Sequence, residues 1–160
     1  MTPKKLERDL RNFIDLLVNK DISAASNPIA VNRLDEAVRL TWKSPVSGPG
    51  TGQFATLQNY RSLLELQAYT VILFDGAILQ ISYDFYGDTL KGHRLCYYPC
   101  PFEINPVELA AEPILDVFDL YQESGMDKLV LRSPIRFDYD PRNAADGHPA
   151  VHVHIVRSRF

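Results

Sequence analysis

The segment Tyr69–Phe85 reads YTVILFDGAILQISYDF, two apolar runs that flank Asp75 and Gly76. An Asp-Gly pair between two such runs is the strongest short-range signal for a β-hairpin. We therefore predict two antiparallel strands here. We expect a type I′ turn between them, which requires positive φ at both central residues.

Helical spacing precedes this hairpin and a further strand follows it. Upstream, Leu57, Tyr60, Leu63 and Leu64 recur at helical intervals and predict a helix that begins near Thr56. Downstream, the sequence HRLCYYP at 93–99 predicts a third strand, which the prolines on either side of Cys100 would end.

Further elements are predicted toward both termini. Thr2 and Pro3 are typical of a helix start, and the apolar spacing that follows predicts a helix over 3–19. The pattern favours a strand over 36–43, whereas Asn27 and Pro28 could begin a short helix. Asn105 and Pro106 indicate another helix start. Pro113 is expected to break this helix, so its stable segment is predicted over 113–122. The segments 128–140 and 150–158 predict the last two strands, and the Gly-rich segment 44–52 is predicted to be a loop.

This order of elements predicts an α+β domain, with an antiparallel sheet of five to six strands and helices mainly on one face. A chain of 160 residues that is 46% hydrophobic and 23% charged fits one domain with a real core. We expect a single domain over 1–160, with the N-terminal helix at 3–19 and the sheet and its helices at 36–157.

Charge and apolar content restrict the class of protein. The net charge of −3 creates no general attraction for nucleic acid, so RNA or DNA binding would need a local basic patch. The longest apolar run is too short for a signal peptide or a membrane span, and we expect a cytoplasmic protein. Cys96 and Cys100 are predicted to be reduced thiols of the core.

The segment Phe137–Ile155, FDYDPRNAADGHPAVHVHI, carries three of the chain's four histidines. Side chains alternate across a strand, so the two strands predicted here divide their residues into two sets. The apolar set is Phe137, Tyr139, Val151, Val153 and Ile155. The polar set is Arg136, Asp138, Asp140, His148, His152 and His154.

Strand pairing in an even-sum register would place each set on its own sheet face, with Arg136 or Asp138 opposite His152. An odd-sum register would bury polar groups against apolar ones, which is costly. We therefore expect the even-sum register. We also expect the apolar set to pack on the helices and the polar set to lie on the opposite face.

Three kinds of function fit the polar set, whose six residues are the candidate catalytic residues. His152 and His154 with Asp138 or Asp140 could bind zinc, manganese or iron. Alternatively, paired imidazoles could act as acid and base in phosphodiester cleavage, with Arg136 stabilising the developing charge. The third reading is non-catalytic, a polar network that is structural or docks a partner. His93 and Arg94 could join the polar set from the neighbouring strand.

Three blocks of the sequence carry a resemblance to a known family: QAYTVILFDGAILQISYDF, HRLCYYPCPF and RFDYDPRNAADGHPAVHVHI. Together they resemble the bacterial family catalogued as domain of unknown function 2290. That resemblance implies neither a substrate nor a catalytic residue.

Two further similarities concern the C-terminal segment. Its ending is similar to small bacterial toxin-module proteins, which implies a role in a toxin–antitoxin or phage-defence module, with a protein or a nucleic acid as partner. AVHVHIV also resembles the histidine-triad nucleotide hydrolases, whose last two histidines would fall on His152 and His154, but their first histidine is replaced by Ala150.

Overall fold

A computed structural model describes residues 1–43, 56–130 and 132–155 of the chain. Its helices are α1 (Pro3–Asn19), α2 (Leu57–Glu65), α3 (Pro106–Ala111) and α4 (Ile114–Ser124), with 3₁₀ turns at Met126–Lys128 and Pro141–Asn143. Its strands are β1 (Ser23–Ser26), β2 (Ile29–Leu34), β3 (Ala37–Trp42), β4 (Val71–Leu73), β5 (Ile78–Tyr86), β6 (Thr89–Tyr98), β7 (Ile135–Tyr139) and β8 (Val151–Ile155).

All pairings in the described sheet are antiparallel, which confirms the α+β class. The strand order is β1-β4-β5-β6-β7-β8, and β2 joins the sheet through β3. β5 is long enough to hold two neighbours on one side, because β4 pairs with its first residues and β3 with its last. The last hairpin, β7–β8, therefore forms one end of the sheet.

The described residues form eight strands, more than the five to six predicted, and the sheet begins at Ser23 rather than near residue 36. The suggested short helix at Asn27–Pro28 is wrong, because the chain continues there as β2. β1 is short and rich in Ser and Ala, so its pattern carried no strand signal. β7 is also shorter than the strand predicted over 128–140, since it begins only at Ile135.

The helices form as their end signals indicate. The Thr2 hydroxyl accepts a hydrogen bond from the Lys5 amide, and α1 spans the predicted 3–19. Thr56 caps α2 in the same way through the Asn59 amide, and the Asn105 side chain accepts from the Val107 amide at the start of α3. α1 packs on one face of the sheet, and α2, α3 and α4 pack on the other.

Each face has its own apolar core. The first core is formed by the buried side of α1 and the strands beneath it, and its residues are Leu6, Leu10, Ile14, Leu17, Ile29, Val38, Leu40, Val71 and Phe85. The second core is built around α2 and α4 and includes Leu63, Ile78, Tyr98, Phe102 and Phe118. Cys96 and Cys100 are free and buried in this second core, as predicted, and burial raises the pKa of the Cys100 thiol to about 11.

The Asp75–Gly76 hairpin is confirmed, but its turn is not of type I′. The Gly76 amide donates to the Leu73 carbonyl at 2.9 Å, and the Leu73 amide donates to the Ala77 carbonyl at 2.8 Å. Gly76 has a φ of +77°, whereas Asp75 is not among the residues with positive φ. The connection is thus a three-residue one, in which Gly76 supplies the single left-handed residue and the Asp75 carboxylate accepts from the Ala77 amide.

Two predictions concern other parts of the chain. The predicted Gly-rich loop at 44–52 lies outside the described residues. Among the described helices, none combines the length and the apolar character needed to cross a membrane.

Candidate functional site on the last hairpin

The last hairpin pairs in the predicted even-sum register. Asp138 lies opposite His152, and Arg136 lies opposite His154. On the other side of β7, Asp138 faces Arg94 of β6 and Arg136 faces Cys96. Directly opposed residues share a sheet face, so Arg94, Asp138 and the two histidines lie together.

The predicted orientation of this hairpin is wrong. The face that carries Asp138 is the one on which α2, α3 and α4 pack, since it continues from buried Cys96 of their core. The apolar side chains point away from those helices and are exposed: Phe137, Val151, Val153 and Ile155. The reason is that α1, which covers this second face, packs on β1, β2 and β3 and lies at the other end of the sheet.

Asp138 is the buried centre of the cluster, with 8% of its side chain exposed. Arg136 Nε lies 2.7 Å from Asp138 Oδ2, and Arg94 Nε donates to Oδ1 at 3.4 Å. A buried carboxylate is costly unless it is paired. The two guanidinium groups provide that pairing, one on each oxygen.

Both imidazoles face the same oxygen of Asp138. The Nε2 atoms of His152 and His154 each lie 3.6 Å from Asp138 Oδ2. His154 Nε2 is buried and has no hydrogen-bond partner. Burial and the neighbouring Arg136 lower the pKa of His154, which favours its neutral form.

The tautomer of neutral His152 follows from its other nitrogen. His152 Nδ1 lies 2.8 Å from the Pro149 carbonyl oxygen. Because a carbonyl can only accept, Nδ1 carries the proton and the lone pair is on Nε2. The backbone just before β8 therefore turns the lone pair of His152 toward Asp138.

His148 and Asp140 lie at the edge of this cluster. The His148 ring is exposed and 4.3 Å from the His152 ring, centroid to centroid. Mutual backbone hydrogen bonds between Ala145 and His148 close the turn that positions it. The Asp140 carboxylate instead accepts from Asn143 at 2.6 Å, which lowers the pKa of Asp140, and Arg142 Nε lies 3.5 Å away.

Three of the six predicted site residues therefore offer convergent ligand atoms. Asp138, His152 and His154 each provide one atom, and these atoms lie within 4.8 Å of one another. His154 has 39% of its side chain exposed, against 12% for His152. Solvent thus reaches the cluster at His154, and also at Arg94 on the other side of β7.

A family model described as an uncharacterized conserved protein, domain of unknown function 2290, matches residues 22–159. The chain belongs to this family. The match confirms the resemblance inferred from the three sequence blocks. No curated protein and no solved structure matches the chain.

In this member of the domain of unknown function 2290 family, the matched region includes all eight described strands and the whole Asp138 cluster, and α1 precedes it. The family description states no activity. Any function must therefore be inferred from the geometry of the site.

Of the two candidates on β6, only Arg94 joins the cluster. His93 has the opposite parity and lies between Tyr83 and Tyr139, with ring centroids 5.6 and 5.8 Å away. Parity places His93 and Arg94 on opposite faces, but which of the two shares the face of Asp138 is set by how β6 and β7 align.

Arg142 is a neighbour of the site that the sequence analysis missed. A Cβ atom at Gly92 would lie 3.0 Å from the Tyr139 carbonyl and 4.0 Å from Arg142 Nη2. Gly92 and Arg94 share a sheet face, so Arg142 extends over the face that carries the cluster. Only the close approach at Gly92 reveals this, because Arg142 belongs to a 3₁₀ turn and has no strand parity.

Proposed function

We propose that this protein is a hydrolase that cleaves phosphodiester bonds, a nuclease-like activity, at the cluster of Asp138, His152 and His154. One observation carries the proposal: the Nε2 atoms of two imidazoles meet at one oxygen of a buried carboxylate that two arginines hold. His154 Nε2, which faces this same oxygen, is buried and has no hydrogen-bond partner in the structure, so it is available to a ligand or a proton.

The arginines favour an anionic substrate. Arg94 and Arg136 share the single carboxylate of Asp138, which leaves one positive charge in excess. Arg142, which pairs with Asp140, adds a third guanidinium over the same face. Each guanidinium has five N–H donors, so contact with one carboxylate leaves donors that suit phosphate oxygens.

The reaction would consume one water molecule. Water loses a proton as it adds to phosphorus, the bond from phosphorus to the leaving oxygen breaks, and that oxygen takes up a proton. The two Nε2 atoms converge on the position at which this water would be activated. Arg94 and Arg136 would stabilise the negative charge that develops on the phosphoryl oxygens.

The test is hydrolysis of bis(p-nitrophenyl) phosphate and of single-stranded RNA and DNA by the full chain, with Zn²⁺ or Mn²⁺ present. We expect cleavage by the parent protein and at least about a hundredfold loss in His154→Ala and Arg94→Gln. The matched control is His93→Gln, because His93 lies on the other face of the same sheet. No cleavage by the folded parent, or full activity in folded His154→Ala, would contradict the proposal.

The competing predictions lead to different expected results for the same variants. If the polar face docks a partner and has no catalytic role, the parent will cleave none of these substrates, and the histidine variants will lose only that binding. A role in a toxin–antitoxin or phage-defence module and the histidine-triad alternative both stay predictions. Both rest on sequence resemblance.

A further inference from the structure

We infer that Asp138, His152 and His154 bind one divalent transition-metal ion of the zinc class through Asp138 Oδ2 and the two Nε2 atoms. This inference deepens the proposed function and rests on it for one point, namely that the bound ion would activate the attacking water. The binding itself is argued from the side chains alone.

The donor atoms have the chemistry and the spacing of such a site. Two imidazole nitrogens and a carboxylate oxygen are common protein ligands of zinc and of ferrous iron, and they leave coordination positions open. With bonds of about 2.1 Å, tetrahedral ligand atoms lie about 3.4 Å apart. Each Nε2 atom lies 3.6 Å from Asp138 Oδ2, so small side-chain rotations would complete the site.

The surroundings of His152 match those of a metal ligand. Metal-bound histidines almost always donate their other ring N–H to a carbonyl or a carboxylate, which fixes the ring. The Pro149 carbonyl serves His152 Nδ1 in this way at 2.8 Å. The Nε2 lone pair is therefore oriented before any ion arrives.

His154 provides a second, independent sign. Its Nε2 atom is buried and without a hydrogen-bond partner, although the ring as a whole is partly exposed. Leaving a buried polar atom unpaired is costly. A metal ion at the point that this atom faces would remove that cost.

Arg136 is the group that competes with the ion for the Asp138 carboxylate. Its Nε atom lies 2.7 Å from the same Oδ2 atom that the imidazoles face. Asp138 has a second oxygen, Oδ1, near Arg94, so the carboxylate can bind an ion and remain paired with a guanidinium. When the ion binds, the Arg136 guanidinium would be freed to contact the phosphate of the substrate.

The experiment measures metal binding directly. The full chain is freed of metal with a chelator and dialysed against Zn²⁺ alone, and bound zinc is measured by mass spectrometry. Co²⁺ is added in a second series, because its visible absorption depends on the ligand set. We expect about one ion per chain in the parent protein.

His154→Gln and Asp138→Asn should each weaken zinc binding at least tenfold and change the Co²⁺ spectrum. His93→Gln is the matched control, since this histidine lies on the other face of the sheet; it should bind zinc as the parent does. Circular dichroism confirms folding, and His154→Gln decides the question if Asp138→Asn does not fold. Absence of zinc binding in the parent, unchanged binding in His154→Gln, or loss of binding in His93→Gln would overturn the assignment.

The two proposals fail separately. Absence of zinc binding in the parent, together with phosphodiester cleavage by the chelated protein, would overturn the metal site and leave the proposed function intact. One bound zinc ion per chain with no cleavage of any phosphodiester would overturn the proposed function and leave the metal site intact.

Discussion

Gly76 is a position at which backbone conformation and packing both exclude a side chain. Its φ of +77° lies in the left-handed region, and a Cβ atom there would meet Cys100 Cβ at 3.0 Å and Cys100 Sγ at 3.1 Å. The Tyr60 hydroxyl also donates a hydrogen bond to the Gly76 carbonyl. The turn is thus fixed against the core around α2 and does not protrude freely into solvent.

Gly76→Ala is predicted to destabilise the protein more than Gly87→Ala. Gly87 also has positive φ, at +55°, but nothing lies within 4 Å of the Cβ that alanine would add. Gly87→Ala should cost about 1 to 2 kcal/mol from backbone strain alone. Gly76→Ala should cost at least about 1 kcal/mol more, because the methyl group crowds Cys100.

Chemical denaturation of both variants gives the two free energies of unfolding. Equal values would mean that the Cys100 side chain can move away from the added methyl group at no cost in free energy, so that the contact does not affect stability. Because both glycines have the left-handed conformation, the difference between the two values isolates the contact with Cys100.

At the scale of elements, β8 reverses the usual distribution of polar and apolar side chains. Val153 is 51% exposed. Asp138 of β7, which lies opposite the neighbouring residue His152, is only 6% exposed. Buried polar groups are tolerated here because the two arginines and the two histidines surround the carboxylate. β8 is therefore held by its pairing with β7 and by the polar cluster, without an apolar core beneath it.

Val153→Ala is consequently predicted to change the free energy of unfolding by less than about 1 kcal/mol. The matched control is Val71→Ala in β4, where the valine is fully buried beneath α1. Removing those methyl groups should cost about 2 to 3 kcal/mol. Urea denaturation of the two variants provides the comparison, and a cost for Val153→Ala as large as that for Val71→Ala would show that the apolar face of the hairpin is covered in solution.

At the scale of the whole molecule, one sheet separates two cores. Leu10 belongs to the core beneath α1, whereas Trp42 packs against the core around α2 and α4. Both cores use side chains of β4, since Val71 faces one core and Ile72 the other. Loss of either core should therefore disrupt the strand that supports the other.

Leu10→Ala is predicted to lower the stability of the entire protein by about 2 to 4 kcal/mol in one cooperative transition. Trp42 is the chain's single tryptophan, so its fluorescence reports on the opposite face from the mutation. The fluorescence transition and the far-ultraviolet circular dichroism transition should shift together to lower urea. Separate midpoints for the two signals would mean that the cores unfold independently.

Several features could be predicted from the sequence because they depend on neighbours along the chain. Thr2 and Pro3 begin α1, the Asp75–Gly76 pair joins β4 to β5, and the alternation in 150–158 predicts β8. The register of the last hairpin was also predictable, since only an even sum keeps Asp138 with His152. Local conformational preferences and strand parity are sufficient for these features.

The direction in which the last hairpin faces could not be predicted in this way. Parity divides its residues into two sets, and burial of the apolar set is the usual outcome. Which set is covered depends on where the helices lie, and α1 packs over β1, β2 and β3 at the other end of the sheet. β1 and β2, whose short or polar sequences carry little pattern of their own, likewise exist through their pairing with β4 and β3.

The sequence by itself determined the α+β class, the hairpins and the shared parity of Asp138, Asp140, His152 and His154, because these depend on local propensity and strand parity. Tertiary structure alone decided that Arg94 joins Asp138 and the two histidines, that His93 does not, and that Arg142 lies over Gly92 on the same sheet face. It also decided that the group lies on the face of α2, α3 and α4. The physical reason is that contacts between distant segments depend on which helices pack on each face of the sheet. The distribution of helices between the two faces is a property of the packed chain as a whole.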